Sequence, residues 1–91
     1  MKLPLGKIYA SMGAVAAFAA ALESDHPDTY LARHESCDWG EVGERDRAVN
    51  EHAVGHGERV LSAYTLRTGE RIWIITEGDR SSTTILLPSE Y

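Results

Sequence analysis

Two histidines that lie four residues apart, His52 and His56, have the spacing of a helical metal site. On an α-helix this spacing puts both imidazoles on one face, where a zinc ion can be bound. The residues between them are Ala-Val-Gly, so the glutamate that follows the first histidine of zinc-protease helices is absent. The sequence therefore favours two ordinary surface histidines and no metal or other cofactor, with metal binding at His52 and His56 as the alternative.

A carboxylate, a guanidinium and an imidazole form the second group that could do chemistry. Glu77 and Arg80 lie beside predicted strands, and His52 lies upstream of them. Small ribonuclease toxins use such a set to move a proton and to hold a phosphate. The order and spacing here also fit exposed polar residues on a sheet. We therefore predict no catalytic residues, and keep a small ribonuclease-like or toxin-like enzyme using these three side chains as an alternative.

The charge of the chain is negative and unevenly distributed. The 91 residues carry a formal charge of −5, and residues 23–51 contain nine acidic residues against three arginines. Because affinity for nucleic acid comes from Lys and Arg side chains that displace counterions, direct nucleic-acid binding is disfavoured. The acidic segment could instead meet a basic protein surface, or could simply be a solvated helix face. The candidate partner-binding residues are Glu35, Asp38, Glu41, Glu44 and Asp46.

Cys37 is the only cysteine, which excludes an intrachain disulfide and a four-thiolate zinc site and fits a reducing cytoplasm. An alanine-rich run over residues 14–22 follows Lys2 and Lys7, and in this it looks somewhat like a secretory signal. The run is far shorter than the ~20 residues that a membrane span needs, and a proline and two glycines interrupt the segment before it. We predict a core helix in a cytoplasmic protein without a membrane anchor.

The first of three predicted helices begins after Ser11, whose hydroxyl can accept a free amide of the first turn. Apolar residues at spacings of three and four predict the stripe that faces the core. That stripe consists of Met12, Val15, Phe18, Ala19 and Leu22. The helix is predicted to end near residues 23–24.

Two further helices are predicted, one over residues 27–36 after an acidic cap and a proline, and one over residues 43–54 before two glycines. The residues predicted to face inward are Tyr30, Leu31 and His34 in the second helix, and Val42, Val49 and Ala53 in the third, with Ala48 as a further candidate.

The pattern changes after Gly57 to extended, strand-forming sequence. Strands are predicted over residues 59–66, 71–76 and 83–87, joined by turns at residues 67–70 and 78–82. Residues 7–10 could form a further short strand or an extended lead-in. The chain is thus predicted to be a single α+β domain of residues 1–91, in which two or three short N-terminal helices pack on a C-terminal antiparallel meander of three or four strands.

Several segments make the chain similar to a known group of sequences. They are Tyr30-Leu31-Ala32-Arg33-His34, Asp38-Trp39-Gly40, Leu61-Ser62-Ala63-Tyr64, Ile72-Trp73-Ile74-Ile75-Thr76-Glu77 and residues 79–88. Through them the chain resembles, over residues 2–91, a family of small bacterial proteins that are often labelled plasmid-related or hypothetical, some with a label that links them to type I restriction systems. The resemblance implies residence on mobile or accessory DNA, where small acidic proteins often bind host proteins.

Three functions are therefore open from the sequence. The first is a non-enzymatic interaction protein that inhibits a host defence system such as restriction or CRISPR through its acidic residues. The second is the ribonuclease-like or toxin-like enzyme described above. The third is a homo-oligomer that pairs through an exposed edge strand formed by residues Thr83 to Leu87.

Overall fold

The computed structural model describes residues 2–91, which form one sheet, three α-helices and a short C-terminal 3₁₀ turn. In chain order the elements are β1 (Lys7–Ala10), α1 (Met12–Ala20), α2 (Pro27–Glu35), α3 (Glu44–His56), β2 (Val60–Thr65), β3 (Arg71–Thr76) and β4 (Ser82–Leu86), followed by the 3₁₀ turn Pro88–Glu90. The predicted α+β class is confirmed. Within residues 2–91, every helix is too short or too polar to cross a membrane.

The sheet has four strands in the order β1-β4-β3-β2 and is mixed rather than antiparallel. β2, β3 and β4 form the predicted antiparallel meander, but β1 pairs parallel to β4. The predicted purely antiparallel sheet is therefore wrong, as is the prediction that all helical structure precedes the sheet. The reason is that β1 enters the sheet before the chain passes through all three helices, and the two hairpins that follow bring β4 back beside it in the same direction.

This topology also corrects the predicted edge strand. The homo-oligomer alternative requires an exposed edge at residues Thr83 to Leu87, but β4 lies inside the sheet between β1 and β3. The outer strands are β1 and β2, so any pairing through an edge must use one of these two.

The outer edge of β2 is closed by groups of the same chain. The amide side chain of Asn50 accepts a hydrogen bond from the Leu61 N–H at 3.1 Å and donates to the Leu61 carbonyl at 2.7 Å. Two residues further along, Ala63 donates to the Trp39 carbonyl and accepts from the Glu41 amide, at 3.1 and 2.7 Å. The outward backbone groups of Leu61 and Ala63 are therefore satisfied, so most of the β2 edge is covered and β1 is left as the open edge.

The helices cover one face of the sheet, and the core lies between that face and the helices. Alternation along the strands puts Tyr64, Ile72, Ile74 and Ile85 on this face, where all four are almost fully buried. The helices contribute a largely small-residue surface to the same cluster, together with two aromatic rings: Ala14, Ala17, Phe18, Ala21 and Tyr30.

The rotation of α1 about its axis differs from the prediction. Its buried residues are Ala14, Ala17 and Phe18, whereas Met12 and Val15, predicted to face the core, are 89% and 58% exposed. Leu22, also predicted inward, is 65% exposed. Alanines let the helix approach the sheet more closely than a stripe of long side chains would allow, so the small-residue face packs inward.

Three hydrogen bonds hold the start of α1 in this orientation. The Ser11 hydroxyl caps the helix by accepting from the Ala14 amide at 3.0 Å, as predicted, and the Glu90 carboxylate accepts from the Gly13 amide at 3.0 Å. Glu90 also accepts from the Ser11 hydroxyl. The C-terminal turn is thereby attached to the start of α1.

The other two helices follow their predicted ranges within two residues, with differences at their ends. His26, not the acidic residue before it, is the N-cap of α2. Asp25 is instead buried and accepts hydrogen bonds from the Tyr30 hydroxyl and the Arg67 amide. In α3, Asn50 faces inward and Val49, predicted inward, is 53% exposed.

Candidate functional site

The two histidines of the candidate metal site stack on each other near the end of α3. The rings of His52 and His56 lie 3.8 Å apart and are nearly parallel, at 7°. His56 Nδ1 is 2.8 Å from the His52 carbonyl, and His52 Nε2 is 3.8 Å from the Glu58 carboxylate. Parallel rings direct their lone pairs side by side rather than toward one point, and no cluster of three or more metal-ligating side chains occurs within residues 2–91. The geometry favours two surface histidines.

The arginine of the candidate nuclease set is turned toward the backbone. Arg80 Nη1 donates to the carbonyls of Glu58 and Glu77 at 2.7 and 3.2 Å, and Nη2 donates to the Ala53 carbonyl at 3.0 Å. The Ala53 carbonyl also accepts the Gly57 and Glu58 amides, so Arg80 adds a side-chain bond to the helix end and attaches the β3–β4 turn to α3. The guanidinium therefore has a structural role that competes with phosphate binding.

The carboxylate of the same set is also engaged. Glu77 lies 3.4 Å from Arg59 Nε, and Arg59 in turn donates to the Tyr91 hydroxyl at 2.7 Å. Glu77 and Arg80 therefore already have partners within the fold, and His52 lies in the last two turns of α3, where its contacts are with His56 and Glu58. This arrangement does not support the ribonuclease alternative.

The five candidate partner-binding acids do not form an unbroken negative surface. Three of them face basic side chains: Asp38 with Arg33 at 2.7 Å, Glu35 with Lys2 at 3.9 Å, and Glu41 with Arg71 at 3.9 Å. Glu44 and Asp46 are exposed in the first turn of α3, where carboxylates favour the helix dipole, and they alternate with Arg45 and Arg47. Much of the negative charge counted along the sequence is therefore locally compensated.

A buried polar network that the sequence did not reveal runs through the core. The ring of His34 is 0% exposed; its Nδ1 lies 2.5 Å from Ser62 Oγ and its Nε2 lies 2.8 Å from Thr76 Oγ1. Thr76 Oγ1 is 2.7 Å from Thr83 Oγ1, which donates to the Leu5 carbonyl at 2.7 Å. The chain of bonds links α2 to three strands and to the segment before β1.

The last acceptor of this network, the Leu5 carbonyl, determines which group donates in each of its hydrogen bonds. A carbonyl can only accept, so Thr83 donates to Leu5 and must accept from Thr76. Thr76 then accepts from His34 Nε2–H, and Nδ1 is left to accept from the Ser62 hydroxyl. His34 is therefore the neutral Nε2–H tautomer.

Burial determines what this network can do chemically. It lowers the pKa of His34 from 6.5 to about 4, and the nearby positive charge of Arg80 acts in the same direction. Ser62 and His34 resemble a nucleophile and its base in their contact, but both side chains are fully buried and no substrate can reach them. The network therefore has a structural role, since it satisfies both ring nitrogens of a neutral histidine in the core.

The open edge of β1 is the most unusual surface of the fold. The amides of Lys7 and Ser11 donate to carbonyls of Ser81 and Ile85 on the β4 side, at 3.0 and 2.9 Å. Because backbone groups alternate in direction along a strand, the N–H and C=O groups of the residues at positions 8 and 10 point away from β4. No other described strand lies on that side.

Exposed apolar side chains surround this edge. Ile8 is 46% exposed and Tyr9 53%, and Met12 and Val15 follow on the first turn of α1. We call these four residues the β1 surface. A groove of about 330 Å³ runs beside it between β1, α1 and α2. Its apolar lining includes Ala10, Ala14, Phe18, Leu31 and Ile85 as well as residues of the β1 surface.

The β1 surface could not be recognised from the sequence because both faces of α1 are apolar. Met12 and Val15 have the spacing of a core stripe, and so do the alanines on the opposite side. Spacing cannot say which of two apolar faces is buried. A signal was present nonetheless, since a run of alanines is the better surface for close contact with a sheet.

No protein-family model matches this chain, and no curated protein or solved structure shows a significant similarity to it. The function proposed below therefore depends on the geometry of the chain itself.

Proposed function

We propose that this chain is a protein-binding module whose binding site is the β1 surface. The observation that supports the proposal is the combination of an unpaired strand edge with large, exposed apolar side chains. Either feature alone is tolerated in folded proteins, but an open edge next to exposed apolar residues is a template for an added strand. Strand addition supplies affinity through backbone hydrogen bonds and specificity through alternate side chains.

The groove beside β1 supports this mode of binding. An extended segment that pairs with β1 continues the sheet, and every second side chain of that segment then points to the helix-covered face. Ile8 and Ala10 occupy this face of β1, since their pairing partners in β4 are the buried Thr83 and Ile85. Apolar side chains of an added strand would therefore enter the groove.

Cross-linking from position 9 tests the proposal. A photoreactive phenylalanine analogue placed at Tyr9 in bacterial cells is expected to cross-link to protein, because the proposed partner strand lies directly beside it. Val49 has the same exposed fraction, 53%, and lies on α3, so it is the matched control site. Equal cross-linking from both positions, or none from position 9, would reject the β1 surface as the binding site.

The first turn of α3 is a second candidate surface. Its residues Glu44 and Asp46 are exposed and have no ion-pair partner within residues 2–91. For this surface we propose the narrower function expected from the sequence, a cytoplasmic inhibitor of a host defence system that binds a basic protein surface.

The acidic proposal predicts that charge neutralisation weakens partner recovery. The double substitution Glu44→Gln and Asp46→Asn should reduce the recovery of host proteins by this chain several-fold in a pull-down at low salt, because two charges that attract a basic partner are lost. The control variant is Glu70→Gln, which removes a carboxylate from the β2–β3 turn. Equal recovery by wild type and both variants would rule out the α3 acids as the contact.

A further inference from the structure

We propose that the occupant of the β1 surface is a second copy of this chain, whose β1 pairs antiparallel with the first across a two-fold axis at Tyr9. This inference rests on the proposed function and names its partner. The two four-stranded sheets join edge to edge into one continuous sheet. Such an interface is isologous, with the same patch used on both copies.

The direction of the backbone groups selects the register. Ile8 and Ala10 are the residues whose N–H and C=O groups point outward from β1. In an antiparallel ladder two outward-pointing residues exchange both of their hydrogen bonds when they lie opposite each other. An axis at Tyr9 sets Ile8 of one copy opposite Ala10 of the other, twice, and all outward groups of β1 are then paired.

The side chains on the helix-covered face are complementary in this register. The large Ile8 of one copy lies next to the small Ala10 of the other, and the groove beside Ala10 is lined by Ala14, Val15 and Phe18. Each copy thus inserts a branched apolar side chain into the groove of its partner. The same pairing buries Ile8 and Val15, which are 46% and 58% exposed in the single chain.

The opposite face of the sheet is complementary in charge. The register sets Lys7 of one copy opposite Ser11 of the other, and the Glu90 carboxylate is hydrogen-bonded to that Ser11 hydroxyl and to the Gly13 amide. These donors hold the pKa of Glu90 below its ordinary value, so the carboxylate is ionised. The pairing therefore brings a lysine beside a glutamate once on each side of the axis.

The register also predicts which positions can be joined by a disulfide. At the axis, residue 9 of one copy faces residue 9 of the other as a pair without direct hydrogen bonds, with Cα atoms ~4.5 Å apart, which is within the range of a disulfide. Residue 7 lies four positions from its symmetry mate, or roughly 13 Å, which is too far. Because Cys37 is the only native thiol, a Cys37→Ala background gives a clean readout.

The experiment has two parts. Sedimentation equilibrium of the purified wild type is expected to show a monomer–dimer equilibrium, and Tyr9→Lys is expected to raise its dissociation constant at least about tenfold because two like charges then face each other at the axis. Val49→Lys, a matched exposed site on α3, should leave it unchanged. In the Cys37→Ala background, mild oxidation should convert Tyr9→Cys to a covalent dimer and leave Lys7→Cys largely monomeric.

The outcomes separate this inference from the proposed function. A wild-type monomer at all accessible concentrations overturns the homodimer, and cross-linking from position 9 to a different protein would then retain the β1 surface as a binding site. A dimer that persists in Tyr9→Lys, or equal oxidation of the two cysteine variants, overturns the pairing through β1. Dimerisation that responds to Tyr9→Lys together with selective oxidation at position 9 supports it.

Discussion

Acidification from pH 6.5 to pH 4 is expected to lower the free energy of unfolding by about 3 kcal/mol through His34 alone. The folded pKa of His34 is depressed to about 4, whereas the unfolded chain takes up the proton at its ordinary value of 6.5. Between these two values the unfolded state binds more protons than the folded state, so stability falls as the pH falls. Above pH 6.5 the contribution is fully present, and below pH 4 it is lost.

The buried network explains why the folded state resists this proton. A charged His34 carries a second N–H at Nδ1 that must donate, but Nδ1 accepts from the Ser62 hydroxyl in the neutral form. Ser62 would have to reverse its hydrogen bond and find another acceptor in a fully buried site. The neighbouring charge of Arg80 adds electrostatic repulsion.

Urea denaturation at a series of pH values measures this effect. The variant His34→Gln can still donate and accept but cannot titrate, so it should be less stable than wild type at neutral pH and should lose this part of the pH dependence. Carboxylates with lowered pKa values, among them Asp25, Asp38 and Glu90, contribute equally to both proteins and at lower pH. A His34 ring that titrates near 6.5 in the folded protein would contradict the prediction.

Gly40→Ala is expected to destabilise the fold by more than about 3 kcal/mol. Gly40 has a φ of +71°, and a Cβ built on it would lie 2.1 Å from the Ala63 carbonyl oxygen and 2.6 Å from the Tyr64 ring. A residue without a side chain is needed here because the 39–41 backbone lies directly against β2. Trp39 and Glu41 each make a backbone hydrogen bond to Ala63. Displacing this loop also displaces Trp39, which is 1% exposed.

Gly55→Ala is the matched control for this prediction. Gly55 lies inside α3, and a Cβ there would meet no atom within 4 Å. Because glycine costs a helix interior about 1 kcal/mol relative to alanine, this variant should be more stable than wild type. Thermal unfolding of the two variants is expected to show shifts of opposite sign. Equal shifts, or a stable Gly40→Ala, would mean that the 39–41 segment is not held as described.

Local signals in the sequence were sufficient for most individual elements. Ser11, Pro27 and Gly57 carry conformational preferences that act within a few residues, and each marks a helix end as predicted. The same holds for the strand over residues 71–76, whose run of β-branched and aromatic residues indicates burial whatever its neighbours are.

The candidate sites show the opposite case. Residue type alone singles out Glu77 and Arg80, but their roles depend on partners supplied by distant segments. Charges counted along the chain make residues 23–51 strongly negative, whereas Arg71, which lies near Glu41, belongs to a strand thirty residues later. His34 was expected only to face inward, because nothing in its own segment shows the hydroxyl groups that it meets in the core.

By itself, the sequence determined the class of the fold, the approximate span of each element and the order of the antiparallel hairpins. These depend on interactions between residues that are near in the chain. Only the tertiary structure decided that β1 joins the sheet parallel to β4, that the alanine face of α1 packs inward, and that the open edge lies at β1 rather than at β4. Each of these depends on contacts between segments that are far apart in sequence, and local periodicity carries no information about such contacts.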